Sequence, residues 1–422
     1  MTGVDSVWIH CGALLDGVTA APQPDMLVRI EAGLVADVRP ANGTRVTEPV
    51  TDFSASTICP GYIDTHVHLL FNHGGEHAPI RRIVESSAPD ELALLAARAA
   101  MDCLLAGITT VRDCGDRDFV TLALRDAIAE GMLPGPRVLA AGPPVTVTGG
   151  HLHWCGGACD SLDEIRTMTR RLCARGVDHV KVMASGGNMT AGSNPLQPQF
   201  TCEELAVVVA EAHRYGRRVA AHASCAEGIR RSVRAGVDTI EHCLWRSPAG
   251  GVSYDPTVVA MMVEQGTWTN LTMAGISRVL LPEHHGEESE ERDVAAAMAS
   301  GTLYEDYKWA RDMRLAGAPM MLSSDAGVRF TPFRRFDETL RCAIVALGIS
   351  FPDAVVLATS AAAQAVGIAD RVGSIAPGQQ ADLLVLDGVV AAQTTTVPAV
   401  RQVWRNGQPV VSDGRILVGD PA

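Results

Sequence analysis

Several absences narrow the reading. No window reaches 18 uninterrupted apolar residues, so a helix crossing a bilayer is not expected. The opening segment MTGVDSVWIHCGALLDG has no basic stretch followed by an apolar one, the pattern of a secretory leader. Both absences favour a cytoplasmic protein with no membrane partner. Runs of lysine or arginine are missing too. With 35 basic against 48 acidic residues the formal net charge is −13, and such a field repels DNA and RNA. The charge itself serves solubility and says little about a substrate. CxxC pairs are absent, and the 11 cysteines are scattered and odd in number, as suits reduced thiols in a cytosolic chain. Cys155 and Cys159 lie near His151 and His153, but no second pair follows to complete a structural zinc site. Internal repeats and low-complexity tracts are also lacking.

What is present is an ordinary globular balance, 47 % apolar and 20 % charged, over 422 residues. That length suits one large barrel with an accessory domain. The segment to about Ile58 reads as short strands, SVWIHCG, DMLVRIEAG and LVADVRP, broken by Gly, Pro and Asn. The segment from about Arg371 reads the same way, with Asn406-Gly407 as a hairpin turn. Residues 1–58 and 371–422 are therefore expected to form one small β-sandwich domain across a large insert. The insert, 59–370, alternates strands with helices. Eight strands are expected at Gly61–His66, Thr109–Asp113, Arg137–Ala141, His179–Ala184, Arg218–His222, Thr239–His242, Thr267–Leu271 and Met320–Asp325. Helical patterns at Asp90–Ala106, Leu162–Arg175, Cys202–Tyr215 and Glu227–Ala235 fall between them. This is the layout of an α/β fold closed as a (β/α)₈ TIM barrel. The competing open sheet calls for a glycine-rich phosphate loop after the first strand, and GYIDTHVHL is not one. The charged stretch 283–293, EHHGEESEERD, is expected to be an exposed loop or helix start.

In such a barrel the chemistry sits at the C-terminal strand ends. Metal-capable residues collect there: His66 and His68 on the first strand, Lys181 in the fourth, His222 on the fifth, His242 on the sixth and Asp325 on the eighth. Residues two apart in a strand share a face, so His66 and His68 can address one ion. A lysine inside an apolar strand is costly unless paired or neutralised. One cation-centred site accounts for all six residues, where a bland reading needs six separate explanations.

In this order and on these strands, GYIDTHVHL, VKVMASGG, AAHAS, TIEHC and SSDA resemble the amidohydrolase superfamily. PGQQADLLVLD resembles that superfamily's returning β domain, so the likeness spans nearly the whole chain. VKVMASGG and TGGHLH resemble its prolidase-like (Xaa-Pro dipeptidase) and imidazolonepropionase-related branch. The resemblance implies two divalent ions, usually zinc. His66, His68 and Asp325 would hold one, His222 and His242 the other, and an N-carboxylated Lys181 would bridge them. It implies a metal-bridged hydroxide attacking an amide carbonyl, with Asp325 as general base and then acid. His151 matches a position that contacts substrate near its carbonyl, with His153 beside it. The fifth-strand position that commonly carries a Tyr is Ser224 here, a shorter and weaker contact. Arg230 or Arg231 on the following helix is then a candidate carboxylate clamp. Trp154, Met189, Trp268 and Met273 offer apolar surface for a bulky amide.

The expected function is hydrolysis of a small-molecule amide, whether dipeptide, N-acyl amino acid or carbamate, in a dipeptidase- or carboxypeptidase-like manner. Deamination or ring opening of a cyclic amide is the alternative, against which Lys181 argues. A catalytically inactive scaffold is the third reading, and it conflicts with six filled ligand positions. Related barrels commonly assemble, which leaves room for a homo-oligomer.

Overall fold

A computed structural model describes residues 6–273 and 307–417. The chain opens with four strands: β1 (Ser6–Leu14), β2 (Gln23–Glu31), β3 (Leu34–Pro40) and β4 (Val50–Pro60). Eight more follow through the insert: β5 (Tyr62–Val67), β6 (Ile108–Asp113), β7 (Arg137–Ala140), β8 (His179–Met183), β9 (Arg218–Cys225), β10 (Thr239–Arg246), β11 (Trp268–Thr272) and β12 (Met320–Ser323). Each expected strand of the insert is present, with ends shifted by a few residues. β13 (Leu383–Asp387), β14 (Val400–Arg405), β15 (Gln408–Ser412) and the short β16 (Arg415–Ile416) close the chain.

The two ends meet in one mixed sheet of eight strands, in the order β16-β15-β14-β13-β4-β1-β2-β3. Its junction is the antiparallel pair β4 with β13, where Ile58 faces Val385. One apolar cluster draws on both ends, with Ile9, Val28 and Ile30 packed with Leu383, Val385 and Trp404. Between β14 and β15 the turn is Asn406-Gly407, with φ of 48° and 75°. Two positive φ values in a two-residue loop are what the strand twist requires, and Asn-Gly supplies them.

The insert carries two parallel sheets, β5-β6-β7 and β12-β11-β10-β9-β8. Isolated parallel bridges join them at both seams, Val145 to Val182 and Val67 to Ala326. Strands β5, β6 and β8 are buried along their full length, as parallel strands covered on both faces must be. Helices at Pro89–Leu105, Leu162–Ala174, Cys202–Arg214 and Ala226–Ala235 match the four expected segments. Two of them start in capping boxes, Ser161 with Glu164 and Thr201 with Glu204, which satisfy the first free N–H groups. The stretch 283–293 lies outside the described residues. Among the described residues, no single helix is long and apolar enough to cross a membrane.

Candidate active site

The C-terminal ends of β5, β8, β9, β10 and β12 converge on a cavity of about 340 Å³. His66, His68, Lys181, His222, His242 and Asp325 all line it. The ring centres of His66 and His68 are 5.3 Å apart, those of His66 and His242 4.9 Å, and those of His222 and His242 4.6 Å. Asp325 Oδ1 lies 3.4 Å from His66 Nε2 and 3.5 Å from His68 Nε2. His242 and Asp325 take left-handed backbone, with φ of 67° and 62°. Such strain in non-glycine residues persists where the surroundings over-determine it, as at functional sites.

Orientation comes from beneath. His66 Nδ1–H donates to Glu241 Oε2 at 2.8 Å, which leaves Nε2 with its lone pair. Glu241 is fully buried and also accepts from Arg112 Nη2 at 2.7 Å, Thr239 Oγ1 at 2.5 Å and Asn270 Nδ2 at 2.6 Å. His242 Nδ1 meets Thr272 Oγ1 at 2.8 Å, and His222 Nε2–H donates to Gly186 O at 3.0 Å. His68 stacks on Phe71 with its ring 8° from parallel. Asp64 accepts from the backbone N–H of Ser324 at 3.0 Å and from its hydroxyl, which anchors the residue before Asp325. Asp113 accepts from Leu69 N at 2.8 Å and steadies the segment after His68.

Electrostatics favour lone-pair donors. Burial, and then neighbouring cationic groups with Lys181 among them, lowers the pKa of His66, His222 and His242 well below the usual histidine value, and that of His68 to about 3. Burial pushes Asp325 up to about 8, against the pull of Lys181 and with Asp64 and Glu241 adding to the rise. Lys181 is 1 % exposed, and its Nζ stands 3.5 Å from His66 Nε2. Among the described residues no carboxylate lies within ion-pair distance of it.

His151 belongs to the cavity, with its ring 4.7 Å from that of His222. Its place depends on Gly187, where a Cβ would meet the His151 ring at 2.5 Å. Ser224 also lines the cavity, with Oγ 3.4 Å from His222 Nε2. The structure does not bring His153 there: it sits half-buried on the short turn His153–Cys155, away from the cavity lining. Arg231 is corrected likewise. Its guanidinium is held by Glu227 Oε1 and Phe200 O, both at 2.9 Å, and Arg230 is held by Asp255 at 3.0 Å. Of the four apolar candidates only Met189 lines the cavity, whereas Met273 is fully buried and Trp154 donates to Thr190. Cys155 and Cys159 are buried free thiols whose pKa burial pushes up, so they behave as core residues.

Sequence reading passed over Glu241, Arg112, Asp64 and Asp113. Their signal was available: a charged residue within or ending an otherwise apolar strand, as in TIEHC and TTVRDC, needs a buried partner. It also passed over Arg246 and Arg329, the two guanidinium groups that line the cavity among the described residues.

Residues 57–417 match the sequence model of the amidohydrolase family. The chain belongs to that family. Among curated relatives, the ochratoxinase of Aspergillus niger is 28% identical over 383 residues, covering 83% of this chain and 75% of that protein. An imidazolonepropionase of Salinispora tropica is 24% identical, covering 95% of this chain and 97% of its own. Among solved structures, a Xaa-Pro dipeptidase with methionine bound in its active site superposes with a TM-score of 0.79 at 28% identity, covering 96% of this chain and 99% of that one.

Metal ions are usual in amidohydrolases, and the donor set of this amidohydrolase fits one. Ligand atoms of His66, His68 and Asp325 lie within 4.8 Å of one another. Asp325 Oδ1 and His68 Nδ1 are buried without a hydrogen-bond partner. A second cluster, His66 with Cys114 and Glu241, fits poorly. Burial pushes the Cys114 thiol up to about 12, and Glu241 is already committed to Arg112 and its neighbours.

Proposed function

We propose that this amidohydrolase is a metal-dependent enzyme that cleaves a small-molecule amide bond, with dipeptides and N-acyl amino acids as the substrate class. The observation that carries the reading is the convergence of His66, His68, Lys181, His222, His242 and Asp325 on one cavity. The two bridged sheets support a closed (β/α)₈ barrel over 59–370, with the terminal segments as a separate β domain. The dipeptidase likeness, and the free amino acid in that enzyme's active site, support an amide whose product is an amino acid.

His66, His68 and Asp325 would hold one ion, and His222 and His242 a second. A carboxylated Lys181 would lie between them. That state would answer the cost of the buried ammonium, since a carbamate offers anionic oxygen donors to the ions where an ammonium would repel them. Bound divalent ions, zinc being usual, would polarise the scissile carbonyl and lower the pKa of the attacking water.

The chain's own residues do the rest. Asp325 takes a proton as the water oxygen bonds to the carbonyl carbon. It returns that proton to the amide nitrogen as the C–N bond breaks, leaving a carboxylic acid and an amine. A carboxylate that faces both the ion site and the cavity is placed for both roles. His151 donates to the carbonyl oxygen as charge develops there. Phe71, Leu152 and Met189 exclude water around the acyl group.

The test is a panel of N-acyl amino acids, dipeptides, aryl amides and carbamates offered to metal-loaded protein, with Asp325→Ala alongside. Amine release by the wild type and its loss in the variant are expected. No release from any member of the panel would overturn the reading.

A further inference from the structure

We infer that Arg246 is a specificity-determining residue, whose guanidinium anchors the carboxylate of an N-acyl amino acid substrate. The inference rests on the amide-hydrolase reading and adds the group by which the substrate is chosen.

Three observations carry it. The first is isolation of charge. Arg246 is half-buried in the cavity wall, and among the described residues its guanidinium has no hydrogen bond and no ion pair. Other buried or partly buried arginines of the insert are spent: Arg112 on Glu241, Arg125 on Asp178, Arg230 on Asp255 and Arg231 on Glu227. A half-desolvated guanidinium carries five donors in a fixed fork that matches a carboxylate. Left open beside a cavity among the described residues, it favours an anionic ligand group.

The second is the backbone that holds it. Residues His242, Cys243 and Trp245 all have positive φ, at 67°, 53° and 53°. The β9 pairing slips over the same stretch and resumes at Arg246 opposite Cys225. Trp245 is fully buried, and its Nε1 donates to the Met313 sulfur at 3.4 Å. Its carbonyl accepts from Ser253 N at 2.7 Å, and Arg246 itself bridges Val252. A strained, closely pinned run therefore ends in a side chain that makes no hydrogen bond or ion pair among the described residues. Strain of this kind persists where the surroundings over-determine it, as at functional sites.

The third is alignment with the reacting centre. His242, Leu244 and Arg246 are alternate residues of one strand, and all three line the cavity. A substrate lying along β10 would meet the imidazole at its scissile end, Leu244 beside its side chain and Arg246 at its far end. Arg329, the other cavity guanidinium, is placed differently. It belongs to the loop after β12 and lies over the Phe330 ring at 5.1 Å.

The test compares N-benzoyl-L-phenylalanine with N-benzoylphenethylamine, the same amide without its carboxylate. Wild type, Arg246→Met and Arg246→Lys are assayed as metal-loaded proteins. A charge-assisted contact is worth about 10- to 100-fold. The acid-over-amine ratio of kcat/KM is expected to fall by about that factor in Arg246→Met, through KM, and to recover partly in Arg246→Lys. Calorimetric binding of N-benzoyl-L-phenylalanine is measured in parallel, and Kd should rise by a similar factor whether or not turnover occurs. Equal metal content and equal melting temperature exclude a folding defect. An unchanged ratio together with an unchanged Kd would overturn the assignment. Binding lost in Arg246→Met, with no turnover by the wild type of this compound or of any member of the amide panel, would sustain Arg246 as an anion anchor while overturning the hydrolase reading.

Discussion

Replacing Glu241 by glutamine removes one charge from beneath the site without changing its size. Glu241 is fully buried, and its two oxygens accept from Arg112, Thr239, His66 and Asn270. Burial alone would raise its pKa, but Arg112, Lys181 and the Thr239 and Asn270 bonds bring it from an ordinary 4.5 down to about 2. Expressed as linkage, that difference is about 3 kcal/mol. The cost of breaking a buried pair points to the same size, about 3–5 kcal/mol, because Arg112 at 2 % exposure keeps its charge and loses its counter-ion. Urea unfolding of the metal-free protein at pH 7 should show that loss. A depressed carboxyl pKa stabilises above its unfolded value and ceases to as pH falls through its folded value. The gap between wild type and Glu241→Gln should therefore be full above about pH 4.5 and shrink towards pH 2. Glutamine leaves one acceptor oxygen where His66, Arg112, Thr239 and Asn270 converge, so the His66 tautomer is held less firmly and metal affinity by chelator competition should weaken about 10- to 100-fold. The double variant Arg112→Met/Glu241→Leu should recover much of the stability but not the affinity, since no charge is left stranded and His66 then lacks its partner. A Glu241→Gln protein with wild-type unfolding and wild-type metal affinity would refute this account of the network.

Lys181→Ala should lose hydrolytic activity, and acetate or propionate should restore part of it by supplying a carboxylate where the proposed carbamate would stand; activity equal to wild type would remove Lys181 from the mechanism. Gly187→Ala drives a methyl to 2.5 Å from the His151 ring, and displacing that ring should lower kcat/KM about 100-fold. Unchanged kinetics in that variant would count against a role for His151. Iodoacetamide at neutral pH should label Cys202 first, read by peptide mass spectrometry, because it alone among the described cysteines is not buried. Early labelling of Cys59 or Cys243, whose thiols burial pushes far up, would contradict the packing described.

Much of this was legible before any coordinates. The eight insert strands could be read because each is a short apolar run set off from the next by a helix or turn. The ligand candidates stood out because polar residues recur at the ends of those runs. Asn406-Gly407 announced its hairpin through the only backbone geometry that closes it. What sequence did not yield was orientation. Arg231 and Arg246 look alike in a string of letters, yet one is bound to Glu227 and the other lines the cavity with no ion pair among the described residues. His153 lies two residues from His151, and strand spacing would put both on one face. They sit instead in a turn where Leu152 has a φ of 53°, and the two rings separate. The Glu241 network is non-local, joining Arg112, His66 and Asn270 across strands, so no window of sequence contains it.

Six side chains make up the proposed metal centre, and metal content tests it most directly. Elemental analysis should be run on purified protein after loading with zinc and removal of free ion. It should give about two divalent ions per chain. The number should drop in His68→Ala, Lys181→Ala and Asp325→Ala, while each variant keeps its circular dichroism spectrum. A wild-type protein that retains no stoichiometric metal, or variants that retain as much as wild type, would contradict the account.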